Sequence, residues 1–485
     1  MKMNSVKRQK GQALPIVIAA MMATVLLALV VFNTGQVTSE KMRLTNTADA
    51  AAYSGMLWQA RALNFHGYTN RAMVANQVAI AQVVSFVSWS KYLRIASRNL
   101  NNTIGWVPVI RPFTQAFYNF SLQVNNVLNQ IADVAVPAID FLIGSLSVAQ
   151  ETVHIASVAA TVDIVNEVVR RNDPSYEVTT AVTGLAIAEN TLQWLDGFTS
   201  VYDSNAQLQR KAGIIMSSRD KWTSDRGWDW RIFSLNVGVG TFRIELVKEG
   251  ETRLLSDTTS NDDGDENLEW EWKGKDTLSI HTSYPCWKRF RGWRTCRFET
   301  PIGWGAAFAS TNNSDIEPQD CSSWFCRSRQ WGARNRNSER RADSNMDNIQ
   351  DAYEGVRSYR EITDLSEDNK KPTLGLAIEV KRDNGAARTS SQIDGIGSPN
   401  APGATRNGMG AGIFAAPDRY ASNEMSAIGK AEVYFRRPVA RTDGQDEYGN
   451  LFNPYWDVHL VSAGSERLAS WVVKLGGGAL DGGMF

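Results

Sequence analysis

The sequence predicts an α+β protein tethered by its front end: a single N-terminal transmembrane helix continuing into long extracytoplasmic helices, followed by a β-rich domain. Three observations predict it. An uncharged run of twenty residues fills Ala13–Phe32, apolar positions then recur with helical rhythm as far as Arg171, and after about Asp225 the pattern turns to alternation with aromatic residues and glycine punctuation. At about 150 residues per domain the 485-residue chain has room for roughly three, which excludes a small disulfide scaffold. Lys plus Arg equals Asp plus Glu at 51 each, so no overall cationic field exists to gather phosphate backbones. A nucleic-acid partner is not expected.

Residues 1–12 carry Lys2, Lys7, Arg8 and Lys10 without an acid, a basic flank that predicts a cytoplasmic N-terminus and export of everything beyond the apolar run. At about 1.5 Å per residue, residues 13–32 cover roughly the 30 Å of bilayer hydrocarbon. Eleven of them are Leu, Ile, Val or Phe. A cleaved secretory signal would show a small-x-small site just past a shorter run; Val31-Phe32-Asn33 offers none, and Ala48-Asp49-Ala50 lies too far downstream. The expected domains are therefore this flank, the span, a helical region over 33–225 and a β-rich, Trp-rich domain over 226–485.

From Thr34 to Asn64 there is no proline, so the spanning helix is expected to continue outward. Ala48, Ala51, Ala52 and Gly55, with Asp49 among them, recur at steps of three and four, and Ala19 and Ala23 repeat the device inside the apolar run. Small side chains on one helical face allow close approach of another helix, so these seven residues are the expected docking positions.

A basic residue and glycine (Lys10, Gly11), a roughly twenty-residue apolar helix, then Arg43-Leu44, Asn46 and Ala48-Asp49-Ala50-Ala51-Ala52 resemble the N-terminal segment of TadE/TadG-like Flp (tight adherence) pilus-assembly proteins. More loosely, GKAEVYFRRP and EYGNLFNPYWDVHL look like the carboxyl region of large TadG-related proteins. The resemblance implies a pseudopilin-like component of the bacterial inner membrane, with other pilus-assembly or pseudopilin-like membrane proteins as partners. It also marks Gly11 and Gln12 as a candidate processing point, although the position five after Gly11 is Ile16 rather than the acid of such substrates. No von Willebrand A domain is expected, because the nearest motif, Asp364-Leu365-Ser366-Glu367-Asp368, ends in the wrong residue.

Through residue 135 basic residues outnumber acids twelve to three. Met56 to Asn101 and Phe113 to Arg171 read as long helices separated by Trp106-Val107-Pro108, packed as a stalk or bundle. Ala72–Ser90 is uncharged, yet Asn76, Gln77, Gln82, Ser85 and Ser88 would each need a partner in hydrocarbon, so a buried or amphipathic helix is favoured over a second crossing. Farther on, Leu374–Lys381, Glu432–Phe435 and Trp456–Val461 read as strands. Arg334–Asn348 and Asn384–Gly410 read as exposed loops.

All four cysteines, Cys286, Cys296, Cys321 and Cys326, lie in one stretch. In an exported domain disulfides are the default. Three pairings are open, and local closure is favoured because nine intervening residues between Cys286 and Cys296 suit a hairpin. A four-thiolate zinc site lacks the usual two-residue spacing. Ten of sixteen tryptophans lie between Trp222 and Trp331, and filling the β core is their expected role. Exposed instead, Trp287 and Trp293 would suit a cell-wall glycan or another subunit, the alternative reading of a tethered glycan- or peptidoglycan-binding module. The run Asp262-Asp263-Gly264-Asp265-Glu266 fails the spacing of a calcium loop and reads as a solvated turn. His66, His154, His281 and His459 are scattered, and no nucleophile–base pair, phosphate loop or metal motif is present. Neither catalytic residues, a metal nor a cofactor is expected.

Overall fold

The computed structural model describes residues 13–238, 240–260, 266–288, 292–311, 334–350, 353–366, 369–383, 424–445 and 447–464. In chain order its elements are α1 (Ala13–Ile104), α2 (Arg111–Asn172), β1 (Glu177–Val178), α3 (Ala181–Leu192), β2 (Thr199–Tyr202), α4 (Asn205–Ser217), α5 (Lys221–Ser224), β3 (Trp228–Asn236), β4 (Thr241–Ser260), β5 (Glu266–Lys288), β6 (Gly292–Ser310), α6 (Arg336–Asp343), β7 (Asp347–Gln350), β8 (Tyr359–Ile362), β9 (Leu374–Asp383), β10 (Glu424–Phe435) and β11 (Trp456–Val461). The fold is α+β, a long helix with an apolar start followed by further helices and sheets. Two compact units share it, and both long helices contribute to each: unit 1 holds residues 1–65, 152–200 and 362–485, unit 2 holds residues 66–151 and 201–361. The sequence division at 225/226 follows the onset of strand pattern, whereas each unit combines helix and sheet from separate stretches.

In unit 1 an antiparallel sheet of order β1-β9-β10-β11 presents Leu374, Leu376, Ile378 and Val380 on one face, the period-two alternation of a strand with one side covered. Leu44, Ala48, Ala51, Ala52, Met56 and Leu63 of α1 share the core with these residues and with Val433, Trp456 and Val458. A π-helical turn, Gln193–Gly197, buries Trp194. Its ring stacks on His154 at 4.6 Å, and Trp194 Nε1 donates to the His154 carbonyl at 3.1 Å. His154 is thus a packing histidine.

Unit 2 is built on the sheet β3-β4-β5-β6-β7, antiparallel except for the parallel β6–β7 pair. Strands of 20, 23 and 19 residues make β4, β5 and β6 much longer than the usual five or six. Residues 66–104 of α1 cross their inner part, where Gly274, Gly303 and Gly305 let the backbones close up: a Cβ at Gly305 would lie 2.3 Å from the Ser88 carbonyl oxygen. The uncharged stretch Ala72–Ser90 is buried here, and its polar groups have partners. Gln77 donates to the Gly355 carbonyl at 2.8 Å and accepts from Trp272 Nε1 at 2.9 Å and the Tyr353 hydroxyl at 2.6 Å. Gln82 donates to Asp220 at 2.8 Å, and Ser88 to Asp276 at 2.6 Å.

The expected stalk or bundle is therefore replaced by helices laid on sheets. Within each unit the apolar face of α1 gains more by covering a strand face than by exposure, and strand glycines permit it. Arg334–Asn348, read as a loop, contains α6 and the start of β7. The signal that decides it is tertiary: the Glu299 carboxylate accepts from the Asn337 and Ser338 N–H groups at 2.8 and 3.1 Å and caps a helix whose own sequence is almost all polar.

Lys211 of α4 is 1% exposed; its Nζ donates to the Arg357 carbonyl at 2.9 Å and lies 4.7 Å from the Tyr359 ring centre. Burial pushes the ammonium down from its usual 10.5 to about 7. Between those values the unfolded chain binds the extra proton, so unit 2 gains stability as pH rises from about 7 toward 10. Denaturant midpoints at pH 7.5 and 9.5 should show that rise, and Lys211→Met should flatten it. A wild-type midpoint that falls over this interval would contradict the assignment.

Candidate functional site

From Leu14 to Phe32 the large apolar side chains of α1 are open to the surroundings except for the half-buried Leu29 and Val30, with Leu14 69% and Ile16 70% exposed, and no charge interrupts them. Ala19 and Ala23 lie on this uncovered stretch. Coverage begins at Asn33, 2% exposed, and is nearly continuous on one face from Leu44. Among the described residues two helices, α1 and α2, are long and apolar enough to cross a membrane. The apolar window of α1 is wholly uncovered, while 22% of that of α2 is buried.

The seat that receives α1 in unit 1 combines charge and close packing. Glu40 pairs with Arg382 and lies 3.7 Å from Arg43, and Lys41 donates to the Ser426 carbonyl. Further along the helix, Ala48 meets the sheet where β10 carries Gly429. A Cβ there would fall 2.5 Å from both the Ala48 carbonyl carbon and the Asp49 nitrogen. A Cβ at Gly55 would fall 2.9 Å from Val165 of α2. Beyond it, Asn64 brackets the Trp456 backbone, donating to its carbonyl at 2.9 Å and accepting its N–H at 3.0 Å.

This geometry places the expected docking residues Ala48, Ala51, Ala52 and Gly55 against other parts of the same chain. The three alanines are 0% exposed, and their face is occupied by the chain's own sheet and α2 rather than left for another molecule. Spacing alone reports that something approaches closely; it does not report whether the visitor is in cis. Asp49 is half-buried on the same turn. The free small residues are Ala19 and Ala23.

Cys286 and Cys296 are joined across the β5–β6 hairpin, with Cα atoms 5.8 Å apart. Cys321, Cys326, Gly11, Gln12, Asn384–Gly410 and most of the acidic run Asp262–Glu266 lie outside the described residues. Close to the bridge, Trp287 and Trp293 face each other edge to face at 5.8 Å and are 66% and 52% exposed. Trp222, Trp228 and Trp230 are exposed as well, whereas Trp270 and Trp272 are buried. The expectation of tryptophans filling the β core holds for those two alone among these seven. For Trp287 and Trp293 the reason is length: Asn99 near the end of α1 donates to the Ile302 carbonyl at 2.8 Å, and β6 extends from there back to Gly292, past the end of the helix.

On the polar side of that outer sheet, Arg243, His281, Ser283, Arg297, Glu299 and Arg334 line an open groove of about 960 Å³. Arg334 bridges Asp229 and Glu245, both at 3.0 Å, and His281 Nε2 lies 2.8 Å from Asn335 Oδ1. Arg243 pairs with Glu245 at 3.4 Å, and the Glu299 carboxylate accepts from the Ser279 hydroxyl at 2.9 Å. Among the described residues no group of three or more His, Cys, Asp or Glu is placed to hold a metal ion.

The uncovered apolar run and the close-packed turns of α1 that follow it form one continuous stretch at the front of the chain, and the comparison with known families falls on the same stretch. Residues 11–62 match the family of putative Flp pilus-assembly, TadE/G-like proteins. No curated protein and no solved structure matches the chain. The TadE/G-like segment thus comprises the apolar run, Glu40 of the Glu40–Arg382 pair and the small-residue turn that meets Gly429. It supports a role in pilus assembly for a membrane-associated chain. The acceptor side of the seat, Gly429 and Arg382, and the Asn64–Trp456 bracket escape a reading of the sequence, because partners hundreds of residues apart leave no local pattern.

Proposed function

We propose that this chain is a membrane-anchored, pseudopilin-like structural or assembly component of an Flp/Tad-type pilus or a related secretion apparatus. Residues 13–32 cross the inner membrane once, residues 1–12 stay in the cytoplasm, and both units are exported, where they act through packing and protein–protein contacts with other assembly components. The observation that carries the reading is the coincidence of the uncovered, uncharged start of α1 with the TadE/G-like match. Leu, Ile, Val and Phe near the bilayer centre contribute about 0.3–0.6 kcal/mol each, so eleven of them give several kcal/mol of insertion free energy. Ala19 and Ala23 are left open for a neighbouring helix in the bilayer.

An arginine at the centre of a span costs about 2.5–3.5 kcal/mol. Val25→Arg with Leu26→Arg is therefore expected to move most of the protein out of the membrane fraction while leaving both units folded. Membrane fractionation, with thiol labelling of Cys286 and Cys296 in intact cells before and after reduction, tests anchor and export together. Unchanged membrane recovery of the double variant, or free thiols reached only after lysis, would refute the reading.

A further inference from the structure

We propose that α2 carries a seam for a second copy of this chain, pairing helix to helix over residues 113–148. This deepens the proposed function, on which it rests, by naming the surface and partner through which the anchored chain assembles. The seam is read from spacing. Phe113, Phe117, Phe120, Val124, Val127, Ile131, Val134, Ala138, Phe141, Ser145 and Val148 follow one another at alternating steps of four and three, five successive heptads inside one helix that continues past Pro137. A period of 3.5 rather than 3.6 is what keeps an apolar stripe facing a second helix as the two wind together.

Within unit 2 that stripe is uncovered except at Val124, which is half-buried. Phe113 is 75% exposed, Val134 71%, Phe141 79% and Val148 67%. A different face of α2 does the packing inside the unit: Ala132, Val136 and Ile143 are fully buried, Ser121 hydrogen-bonds Ser97 at 2.6 Å, and Asn125 donates to Ser90 at 3.0 Å. The helix already has its intramolecular contact, and the seam is additional to it.

Area and charge identify the occupant. Taking roughly 200 Å² for a full aromatic side chain and somewhat less for Val or Ile, the exposed fractions amount to on the order of 1,000 Å², close to what one partner brings to a stable standard-size interface. No charged residue occupies the seam positions or the e and g positions that border them in the heptad, so two identical copies meet without like-charge repulsion, and a two-fold pair needs one self-complementary patch per chain. An anionic membrane surface fits less well. Between Arg111 and Arg170 the helix has no Lys or Arg to meet headgroups, and its inner face is committed to polar contacts within the protein.

Light scattering of the full-length chain in dodecyl maltoside micelles, corrected for bound detergent, tests this. The wild type is expected to be dimeric at micromolar concentration. Val127→Asp with Val134→Asp should raise the dissociation constant at least 100-fold and give monomers. Asn119→Asp with Asn126→Asp, off the seam on the same helix, should leave the dimer intact. Calorimetry and retention of the Cys286–Cys296 bridge confirm that unit 2 stays folded in each variant. A monomeric wild type, which would hand the seam to lipid or to a different helix, overturns the proposal, as does a dimer that survives the seam substitutions. Failure of the anchor reading is distinguished because it would appear as soluble protein in fractionation, in which the same measurement still counts subunits.

Discussion

Asp276→Ala is expected to destabilise unit 2 by about 3–5 kcal/mol, the cost of leaving buried charge without its partner. Asp276 is fully buried, Arg226 Nη2 lies 2.9 Å from its Oδ2, Lys248 Nζ lies 2.6 Å from its Oδ1, and Ser88 donates to it at 2.6 Å. Burial works against the carboxylate's charge, but Lys248 and Arg226 outweigh it and hold the carboxyl below its usual range. Removing the acid leaves two cations in the space between α1 and the sheet. Replacing all three ions of a buried cluster with apolar residues of similar volume is often neutral or better, so Arg226→Met, Lys248→Met and Asp276→Leu together should recover most of the loss. Thermal and urea unfolding of the full chain read both outcomes. A change below about 1 kcal/mol for Asp276→Ala would mean water reaches the cluster, contradicting its burial.

The second large effect is expected at Gly429. Its backbone conformation is ordinary for a strand, but a side chain there would overlap backbone atoms of Ala48 and Asp49 at 2.5 Å, which cannot rotate away. Gly429→Val should therefore cost about 3 kcal/mol or more, beyond the usual range of small overpacking, and separate the TadE/G-like helix from its seat. In a unit of this size that corresponds to roughly 10 °C in Tm. Gly375→Ala, whose added Cβ meets the flexible end of Lys430 at 3.2 Å, is the control expected to change little. Equal proteolytic protection of residues 40–60 in wild type and Gly429→Val would show that β10 does not seat the helix.

Much of the fold is legible in the amino-acid order. The apolar run, the helical rhythm on either side of Trp106-Val107-Pro108, and the strands around Leu374, Glu432 and Trp456 are local patterns written over consecutive residues, and each corresponds to an element of the fold. The small residues at Ala48, Ala51, Ala52 and Gly55 are equally visible, whereas the residues of β10 and α2 packed near them are not, because they lie far off in the chain. Helix α6 is not legible, because Glu299, which caps it, is more than thirty residues away and in a strand. Nor is the exposure of Trp287 and Trp293: composition reports how much apolar surface a segment has, and only the relative lengths of helix and strand decide how much is covered.

By itself the sequence determined what depends on neighbouring residues: an apolar segment long enough for a bilayer, two long helices, the onset of strand alternation and the family to which residues 11–62 are matched. Tertiary structure alone decided which faces are spent. It placed Gly429 under Ala48, gathered Arg226, Lys248 and Asp276 into one buried cluster, and left the heptad face of α2 open while its neighbouring face was filled. The physical reason is that periodicity fixes which residues lie together on a face, whereas coverage is a competition among distant segments for the same apolar surface, settled by packing and loop-closure entropy across the whole chain.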